Sequence, residues 1–290
     1  PVNADQIIII DNDGGDAVVG QFAQGGSITL MGNYFLINYA GGDGNDVVLT
    51  LCAGVKNTTT MEVFCTIQEG VDDPQTLDGH TLLIAAGTYN ERVTLTKRLT
   101  LDGAGAGSTI LDGSGLAGTG NGITINAGII NVTIKDLTVR DYAGANPNAS
   151  AGIYGVGGNN NLTVTDVDLA DNIGGSGFYA NGPIDNVLMN NVDAHGHTNI
   201  NGAARGIVIW NGHKSNITIT NCEVYNNNCC GIELQDGSAS GVTMTGNNVH
   251  DNWDNGIGIV GLDNTTAANL VGTNTLTDNG RFGIEIKNPN

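Results

Sequence analysis

The stretch that decides the fold runs from Asn216 to Gly261: NITITNCEVYNNNCCGIELQDG is followed, after a three-residue spacer, by GVTMTGNNVHDNWDNGIGIVG. Each half holds a short alternating strand, a polar corner and a Gly that leads into a second strand. Six copies of this pattern have strand starts at Val132, Leu162, Val187, Ile217, Val242 and Leu270. The starts are 30, 25, 30, 25 and 28 residues apart. A period in this range predicts a solenoid with one coil per repeat.

The composition agrees with an all-β chain. Of 290 residues, 45 are Gly and only 13% are charged, while Val, Ile, Thr and Asn dominate the periodic segments. Such a profile predicts short strands joined by many tight corners. The segment 1–51 lacks the repeat and is predicted to be a separate β-rich unit ahead of a solenoid over residues 52–290. No apolar run approaches the ~18 residues that would span a membrane, so membrane insertion is not expected.

The strong negative net charge disfavours polyanionic binding partners. The chain carries a formal charge of −19 with 10 Lys and Arg. Nucleic acids and anionic membranes are therefore poor partners, since phosphate binding needs clustered cations. Acidic polysaccharides are also disfavoured unless calcium or a local Arg/Lys cluster offsets the field.

Five cysteines define one predicted bond and one open question. Cys52 and Cys65 bracket a polar loop between apolar stretches, which predicts a disulfide and an oxidising compartment. Cys222 falls at an inward position of its strand and is predicted to lie in the core. Cys229 and Cys230 could form a vicinal disulfide, or one of them could pair with Cys222. Metal binding there is disfavoured, because no His or further Cys lies at zinc-ligand spacing.

Two acidic turns near the N-terminus suggest calcium. GGDGNDVVL (Gly41–Leu49) is similar to the nonapeptide of calcium-binding β-roll repeats, and DNDGGD (Asp11–Asp16) adds a second acidic turn. Ordinary Asp/Gly turns are the competing interpretation, because calcium in such rolls lies between two successive turns and the chain has one copy of the motif. The candidate Ca²⁺ ligands are Asp11, Asp13, Asp16, Asp43 and Asp46. The longer phrase FLINYAGGDGNDVVLTL also resembles segments of large bacterial surface proteins and autotransporter-like adhesins.

The entrance to the solenoid carries a second resemblance. DGHTLLIAAGTY (Asp78–Tyr89), VTLTKRLTLDGAG (Val93–Gly105) and TILDG (Thr109–Gly113) resemble the first coils of the pectate-lyase and pectin-methylesterase-like β-helix superfamily. The resemblance implies a right-handed parallel β-helix. That superfamily includes lyases, hydrolases, epimerases, phage tailspikes and non-catalytic adhesins, so the fold alone does not choose a function. The catalytic phrases of pectin methylesterases are absent, and that activity is not carried over.

Aligning the coils predicts three columns at one corner. The first column contains Arg140, Ala170, His195, Tyr225, His250 and Thr277. The second contains Asp141, Asp171, Gly196, Asn226, Asp251 and Asp278, and is predicted to cap backbone N–H groups. The third contains Tyr142, Asn172, His197, Asn227, Asn252 and Asn279. Its Asn residues are expected to hydrogen-bond to one another and to tolerate left-handed backbone.

The first column supports an enzymatic alternative. If they face outward, His195, Tyr225 and His250 would stack in successive coils beside His197, and a neutral His/Tyr pair can act as general acid and base on a sugar ring. A uronate lyase or epimerase also needs a cation to neutralise the carboxylate. Arg205 and Lys214 are the candidates for that cation. The competing interpretation is that these are surface residues without a shared task.

Aromatic residues of the middle coils suggest sugar contact. Tyr154, Tyr179 and Trp210 fall at outward positions of the second strand, and Trp253 lies at a nearby corner. They could form a flat platform for sugar rings, or they could pack under inserted loops.

The function that we expect is a non-catalytic, extracellular or cell-surface module of a larger bacterial adhesin-like or fibrous protein. The solenoid would be a rigid spacer that presents a face to glycans or partner subunits. A polysaccharide lyase or epimerase is the alternative. The final strand, GIEIK (Gly283–Lys287), aligns with interior strands, which predicts continuation of the chain or end-to-end stacking of copies, with Ile7–Ile10 as a candidate contact.

Overall fold

A computed structural model describes residues 6–23, 25–31, 33–52, 54–144, 150–199, 201–262 and 272–287. It confirms an all-β chain with two β-units. A four-stranded antiparallel sheet in the order β1-β4-β3-β2 comes first, and a parallel β-solenoid follows. The strands of the first sheet are β1 (Gln6–Ile10), β2 (Ser27–Leu30), β3 (Asn33–Gly41) and β4 (Asp46–Cys52).

The N-terminal sheet is built on a small core of alternating apolar residues. Phe35 and Ile37 of β3 pack with Val47 and Leu49 of β4. The turn between these strands is closed by a hydrogen bond from the Gly44 N–H to the carbonyl of Gly41 at 2.8 Å. The phrase that resembles a β-roll repeat is therefore an antiparallel hairpin, whereas β-roll repeats wind as successive parallel turns.

The solenoid starts with an antiparallel strand and one short helix. β5 (Val55–Asn57) pairs antiparallel with β6 (Val63–Phe64) and β7 (Thr81–Ile84). The helix α1 (Ile67–Asp72) covers the apolar end of the first coil with Ile67 and Val71. Thr66 and Glu69 form a capping box at the start of α1, the arrangement that satisfies the free N–H groups of a helix end. No helix formed by the described residues is long and apolar enough to cross a membrane.

Each coil contributes strands to two faces. The N-terminal part of the solenoid, up to residue 125, contains β5 (Val55–Asn57), β6 (Val63–Phe64), β7 (Thr81–Ile84), β8 (Gly87–Tyr89), β9 (Val93–Leu95), β10 (Thr100–Gly103), β11 (Thr109–Asp112) and β12 (Ile123–Ile125). The following strands of the first face are β13 (Thr133–Arg140), β15 (Leu162–Ala170), β17 (Ile184–His195), β19 (His213–Thr220), β20 (Glu223–Tyr225), β22 (Thr243–Thr245), β23 (Asn248–His250) and β25 (Thr275–Thr277). Those of the second face are β14 (Ile153–Gly155), β16 (Phe178–Asn181), β18 (Ile207–Trp210), β21 (Ile232–Ser240), β24 (Ile257–Leu262) and β26 (Ile284–Lys287).

The strand register confirms the coil alignment. On the first face Leu162 lies opposite Val187, which lies opposite Ile217. These side chains and their equivalents point inward and form one continuous apolar core along the solenoid. The last predicted start, Leu270, lies outside the described residues. There the register is set by Asn248 opposite Thr275, a step of 27 residues.

Left-handed backbone marks three corners of the coil that begins at Asn131. Asn131, Asp136 and Asp141 have φ values of 56°, 57° and 59°, at intervals of five residues. The same conformation recurs at the equivalent corners of later coils: Asn161, Asp166, Asp171, Asn186, Asn191, Asn216, Asn221, Asn226, Asp251 and Asp278. Asn, Asp and Gly tolerate this conformation best. The expectation that the third column takes it is wrong, because the left-handed residues lie in the second column.

The third column is instead a buried hydrogen-bonded ladder. The Asn227 side-chain amide donates to Oδ1 of Asn252 at 2.9 Å, and Asn252 donates to Asn279 at 3.0 Å. The same amides also donate to main-chain carbonyls of the preceding coil, as Asn227 does to Ala194 at 3.0 Å. The mutual bonding predicted from the sequence is confirmed, and it satisfies polar groups that would be costly to bury alone.

The Gly that precedes each second-face strand is required by close stacking. A Cβ on Gly231 would lie 2.4 Å from Val249 Cγ1, 2.8 Å from the Gly256 carbonyl oxygen and 2.9 Å from Asn252 Nδ2. Gly206 meets the equivalent atoms one coil earlier. The repeated Gly therefore lets the corner fold tightly against the ladder.

Candidate functional site

Three aromatic rings stack on the outside of the first face. His195 lies opposite Tyr225, and Tyr225 lies opposite His250, in successive coils. The His195 and Tyr225 ring centroids are 4.7 Å apart with planes tilted by 12°, and those of Tyr225 and His250 are 5.1 Å apart with planes tilted by 2°. The spacing follows the strand separation of about 4.8 Å. We call these three residues the ring stack.

Carboxylates surround the ring stack. His195 Nε2 lies 3.2 Å from Asp168, and His250 lies 3.1 Å from Glu223 and 2.7 Å from Asp251. The hydrogen bond to Asp168 raises the pKa of His195 above its ordinary value, against the opposing effect of partial burial. Burial would lower the pKa of His250, but its two carboxylate partners outweigh burial and raise it. The ring stack is therefore set in a negative field that favours protonated imidazoles.

His197 does not face outward with the ring stack. It occupies an asparagine position of the buried ladder, where its ring Nδ1 accepts the main-chain N–H of Asn172 at 3.2 Å and its main-chain N–H donates to Asn227 Oδ1 at 3.2 Å. Complete burial lowers its pKa to about 3. His197 is therefore a neutral structural residue, and the structure separates it from the surface.

The two cations named for a uronate site lie away from the ring stack. Arg205 is buried near the second face, where its guanidinium pairs with Glu233 and donates to the Ala203 carbonyl at 2.7 Å. Lys214 is fully buried, and its ammonium donates to the carbonyls of Asn211, Gly212 and Asp236 at 3.1, 3.2 and 2.6 Å. Desolvation lowers the pKa of Lys214 to about 8. Both cations therefore bond to the interior of the protein.

The aromatic residues of the second face come together, but not as an open platform. Tyr179 lies between Tyr154, at 5.6 Å, and Trp210, at 6.0 Å between ring centroids. Tyr179 is only 1% exposed, and the Arg205 guanidinium lies 5.7 Å from the Trp210 ring centroid. The Trp210 N–H is also committed, donating to Asp236 at 2.7 Å. These residues thus form a satellite apolar cluster with two partly exposed edges.

Trp253 is placed differently from the other predicted aromatic residues. Its side chain is 78% exposed. It follows His250 by three residues, at the corner where the first face ends. Its main-chain N–H donates to the Asn227 carbonyl at 2.9 Å, so the backbone that carries the free indole is fixed.

The acidic residues proposed for calcium are only partly gathered. Repulsion from the Asp13 carboxylate is the largest effect that raises the pKa of Asp11. Repulsion from Asp46, burial and repulsion from Asp43 add progressively smaller effects in the same direction. Asp46 also accepts the main-chain N–H of Asn12 at 2.9 Å. Across the described parts of the chain, neither these residues nor Asp16 form a group of three ligand atoms mutually within 4.8 Å. Calcium binding stays a prediction.

The cysteines divide into a bonded pair and three free thiols. The predicted Cys52–Cys65 disulfide is confirmed, with Cα atoms 5.0 Å apart. Cys222 is buried as predicted, and Cys229 and Cys230 are unbonded, with sulfur atoms 3.9 Å apart. Sequence reasoning missed Asp254, whose carboxylate lies within 4.8 Å of both of these sulfurs. A spacing of one coil, 25 residues from Cys229, was the signal that could have found it.

Residues 99–271 match the family described as "Right handed beta helix region". This span covers more than half of the chain, so the protein belongs to that right-handed β-helix family. The match identifies the solenoid and its hand, and agrees with the superfamily resemblance seen at the entrance coils.

Other similarities are partial or distant. A 54-residue segment, 19% of this chain, is 43% identical to a protein named "Cell surface glycoprotein" from Methanothermus fervidus, of which it covers 9%. Pectin methylesterase from Erwinia chrysanthemi is 16% identical and overlaps with a TM-score of 0.40, covering 76% of this chain and 90% of that one. The A-module of a mannuronan C-5 epimerase from Azotobacter vinelandii is 16% identical and overlaps with a TM-score of 0.38, covering 69% of this chain and 70% of that one. Overlaps of this quality say nothing about chemistry.

Proposed function

We propose that this chain is a non-catalytic, extracellular or cell-surface module in which the β-helix is a rigid spacer and its lateral surface binds glycans. The observation that carries the proposal is the position of the cations. Arg205 and Lys214, which a uronate lyase or epimerase would need beside the ring stack, are both bonded inside the protein. Arg140 occupies the column of His195, two coils earlier, and its guanidinium pairs with the Asp112 carboxylate at 2.8 Å.

The surface that remains suits neutral or amino sugars. Tyr225 offers an aromatic edge between two imidazoles, and Trp253 offers a free indole at the adjoining corner. Aromatic side chains contact the apolar faces of sugar rings while nearby carboxylates accept hydroxyl and ammonium hydrogens. Asp168, Glu223 and Asp251 would repel a uronate carboxylate.

The similarity to a cell-surface glycoprotein supports the location outside the cell, and the Cys52–Cys65 disulfide supports an oxidising compartment. A bacterial source stays a prediction. Presentation of the spacer within a larger adhesin-like or fibrous assembly, including end-to-end stacking, is part of the same proposal.

A glycan array tests the proposal directly. Wild type should bind neutral or amino glycans, and Tyr225→Ala and Trp253→Ala should each weaken that binding at least about tenfold, because Trp253 offers the free aromatic face and Tyr225 holds the two imidazoles of the ring stack in place. Leu188→Ala is the matched control, because this residue is exposed on the same strand as His195. Binding that all variants share would contradict the proposed surface.

The enzymatic alternative has its own assay. Wild type should release no unsaturated product from uronate polymers and should leave their epimer composition, followed by NMR, unchanged. Turnover by wild type that is lost in His195→Ala would overturn the non-catalytic proposal and assign the ring stack to a lyase or epimerase.

A further inference from the structure

Coil stacking assembles a group of metal-binding side chains near the second face. Cys229 and Cys230 lie at the corner that leads into β21, and Asp254 occupies the equivalent corner one coil later. The Asp254 N–H donates to the Cys229 carbonyl at 3.0 Å, so the two corners are fixed against each other. Within the described residues this is the one group of three His, Cys, Asp or Glu side chains whose ligand atoms all lie within 4.8 Å of one another.

The sulfur separation fits a tetrahedral cation. Zinc binds thiolates at about 2.3 Å with near-tetrahedral angles, which places two sulfur ligands about 3.8 Å apart. Cys229 and Cys230 Sγ atoms are 3.9 Å apart. We propose that Cys229, Cys230 and Asp254 bind one thiophilic divalent cation of the Zn²⁺ type, which would clip two successive coils together. This site shares no residue with the proposed glycan-binding surface, although Asp254 directly follows Trp253 in the chain.

The surroundings supply further support for a cation. The Asn255 side-chain amide donates to Cys230 Sγ at 3.8 Å, as an outer hydrogen bond to a metal-bound thiolate would. Asn255 is 1% exposed, and its Oδ1 is buried without a hydrogen-bond partner among the described residues. A water would complete four ligands. Asp254, a quarter exposed and 3.4 Å from Arg281, lies at the open side where a cation would enter.

Metal binding at this corner would balance by proton release. Cysteine binds a metal ion as the thiolate, so a divalent cation would displace the thiol protons of Cys229 and Cys230 to solvent, with no oxidant or reductant involved.

A vicinal disulfide fits this corner less well. Consecutive Cα atoms are about 3.8 Å apart across a trans peptide bond, whereas disulfides favour Cα separations of about 4.4–6.8 Å. The sulfurs would also have to approach from 3.9 Å to about 2.05 Å. The corner as folded matches the spacing of metal ligands better than that of a covalent bond.

The test uses the full chain with its Cys52–Cys65 disulfide intact. Co²⁺ added to the protein should give a thiolate-to-cobalt charge-transfer band that saturates at about one equivalent, and Zn²⁺ should abolish the band by displacement. Cys229→Ser/Cys230→Ser should lose the band. Asp254→Asn should weaken Zn²⁺ binding at least about tenfold in competition with a chromophoric chelator. Cys222→Ser removes the third free thiol and should bind as wild type does.

Three results would overturn the site. The first is no Co²⁺ or Zn²⁺ binding by wild type whose three free thiols have been verified. The second is unchanged binding in the double Cys variant. The third is a Cys229–Cys230 disulfide, found by mass spectrometry, that forms in the presence of stoichiometric Zn²⁺. If circular dichroism shows that the double variant does not fold, Asp254→Asn decides instead: an unchanged Zn²⁺ affinity overturns the proposal.

Discussion

His195 and His197 lie two residues apart at one corner of the solenoid, and their pKa values move in opposite directions. His195 stands outside among carboxylates, and the hydrogen bond to Asp168 raises its pKa. His197 is enclosed in the Asn ladder, and burial lowers its pKa to about 3. The end of the strand and the turn after it therefore place one histidine on the surface and the other in the interior, where their protonation responds differently to pH. Protein stability should therefore depend on pH in two separable ways.

The outer histidines should stabilise the fold at mildly acidic pH. Because the folded-state pKa values of His195 and His250 are raised, their contribution is fully present below the unfolded value of about 6.5 and is lost as pH rises through the folded values. The advantage of wild type over His195→Gln/His250→Gln in unfolding free energy should therefore be greater at pH 5.5 than at pH 8.5. Denaturant titrations measure it, and each single variant should show part of the effect. An advantage that grows with pH would contradict the assignment.

The inner histidine should act in the opposite sense. Because the pKa of His197 is lowered to about 3, its contribution is present above about pH 6.5 and is lost as pH falls towards 3. His197→Asn restores the ladder residue and should gain on wild type by roughly 2–3 kcal/mol at pH 4.5, two units below the unfolded pKa. Denaturant midpoints across pH 4.5–7.5 measure this gain. The reciprocal variant Asn227→His should become more acid-sensitive, and parallel pH profiles for all three proteins would refute the idea.

Removing one partner of the Arg205–Glu233 ion pair should destabilise the fold strongly, whereas replacing both partners by apolar residues should destabilise it little. Both side chains are largely buried, so Arg205→Met should lower the unfolding free energy by roughly 3–5 kcal/mol by leaving a buried carboxylate uncompensated. Burial already raises the pKa of Glu233 against the pull of Arg205. Arg205→Met/Glu233→Leu should recover most of the loss. A double-mutant cycle on chemical unfolding measures the coupling, and additive losses would contradict it.

The sequence could predict whatever repeats along the chain. The coil period, the ring stack of His195, Tyr225 and His250, and the bonding of Asn227 to Asn252 all follow from aligning equivalent positions, since neighbours in a solenoid are one coil apart. The Cys52–Cys65 pairing followed from flanking composition. These features rest on local spacing or on one-coil spacing, which a sequence displays.

The remaining features depend on what covers a side chain, which the alignment does not contain. Arg205 lies in an inserted segment, and the fold places its guanidinium against Glu233 and Trp210 instead of beside His195. Burial of Tyr179 likewise follows from the packing of the second face. Zinc-ligand spacing within one loop does not indicate Asp254, because coil stacking brings its carboxylate to Cys229 and Cys230 from the next coil.

The Gly column should be as strict as the Asn ladder that it faces. A Cβ at Gly231 would come within 2.4 Å of Val249 and within 2.9 Å of atoms in the next coil, closer than side-chain contacts allow. Gly231→Ala should therefore push β21 away from β24 and lower the unfolding free energy by roughly 1–3 kcal/mol, as overpacking does. Gly26→Ala is the matched control, because no atom lies within 4 Å of a Cβ built there and its backbone is not left-handed. Thermal melts compare the two variants, and hydrogen exchange should show the loss of protection centred on these coils, since each coil contacts only its neighbours. Equal melting temperatures for Gly231→Ala and wild type would mean that the coils can separate without cost, and the close stacking inferred for this corner would then be wrong.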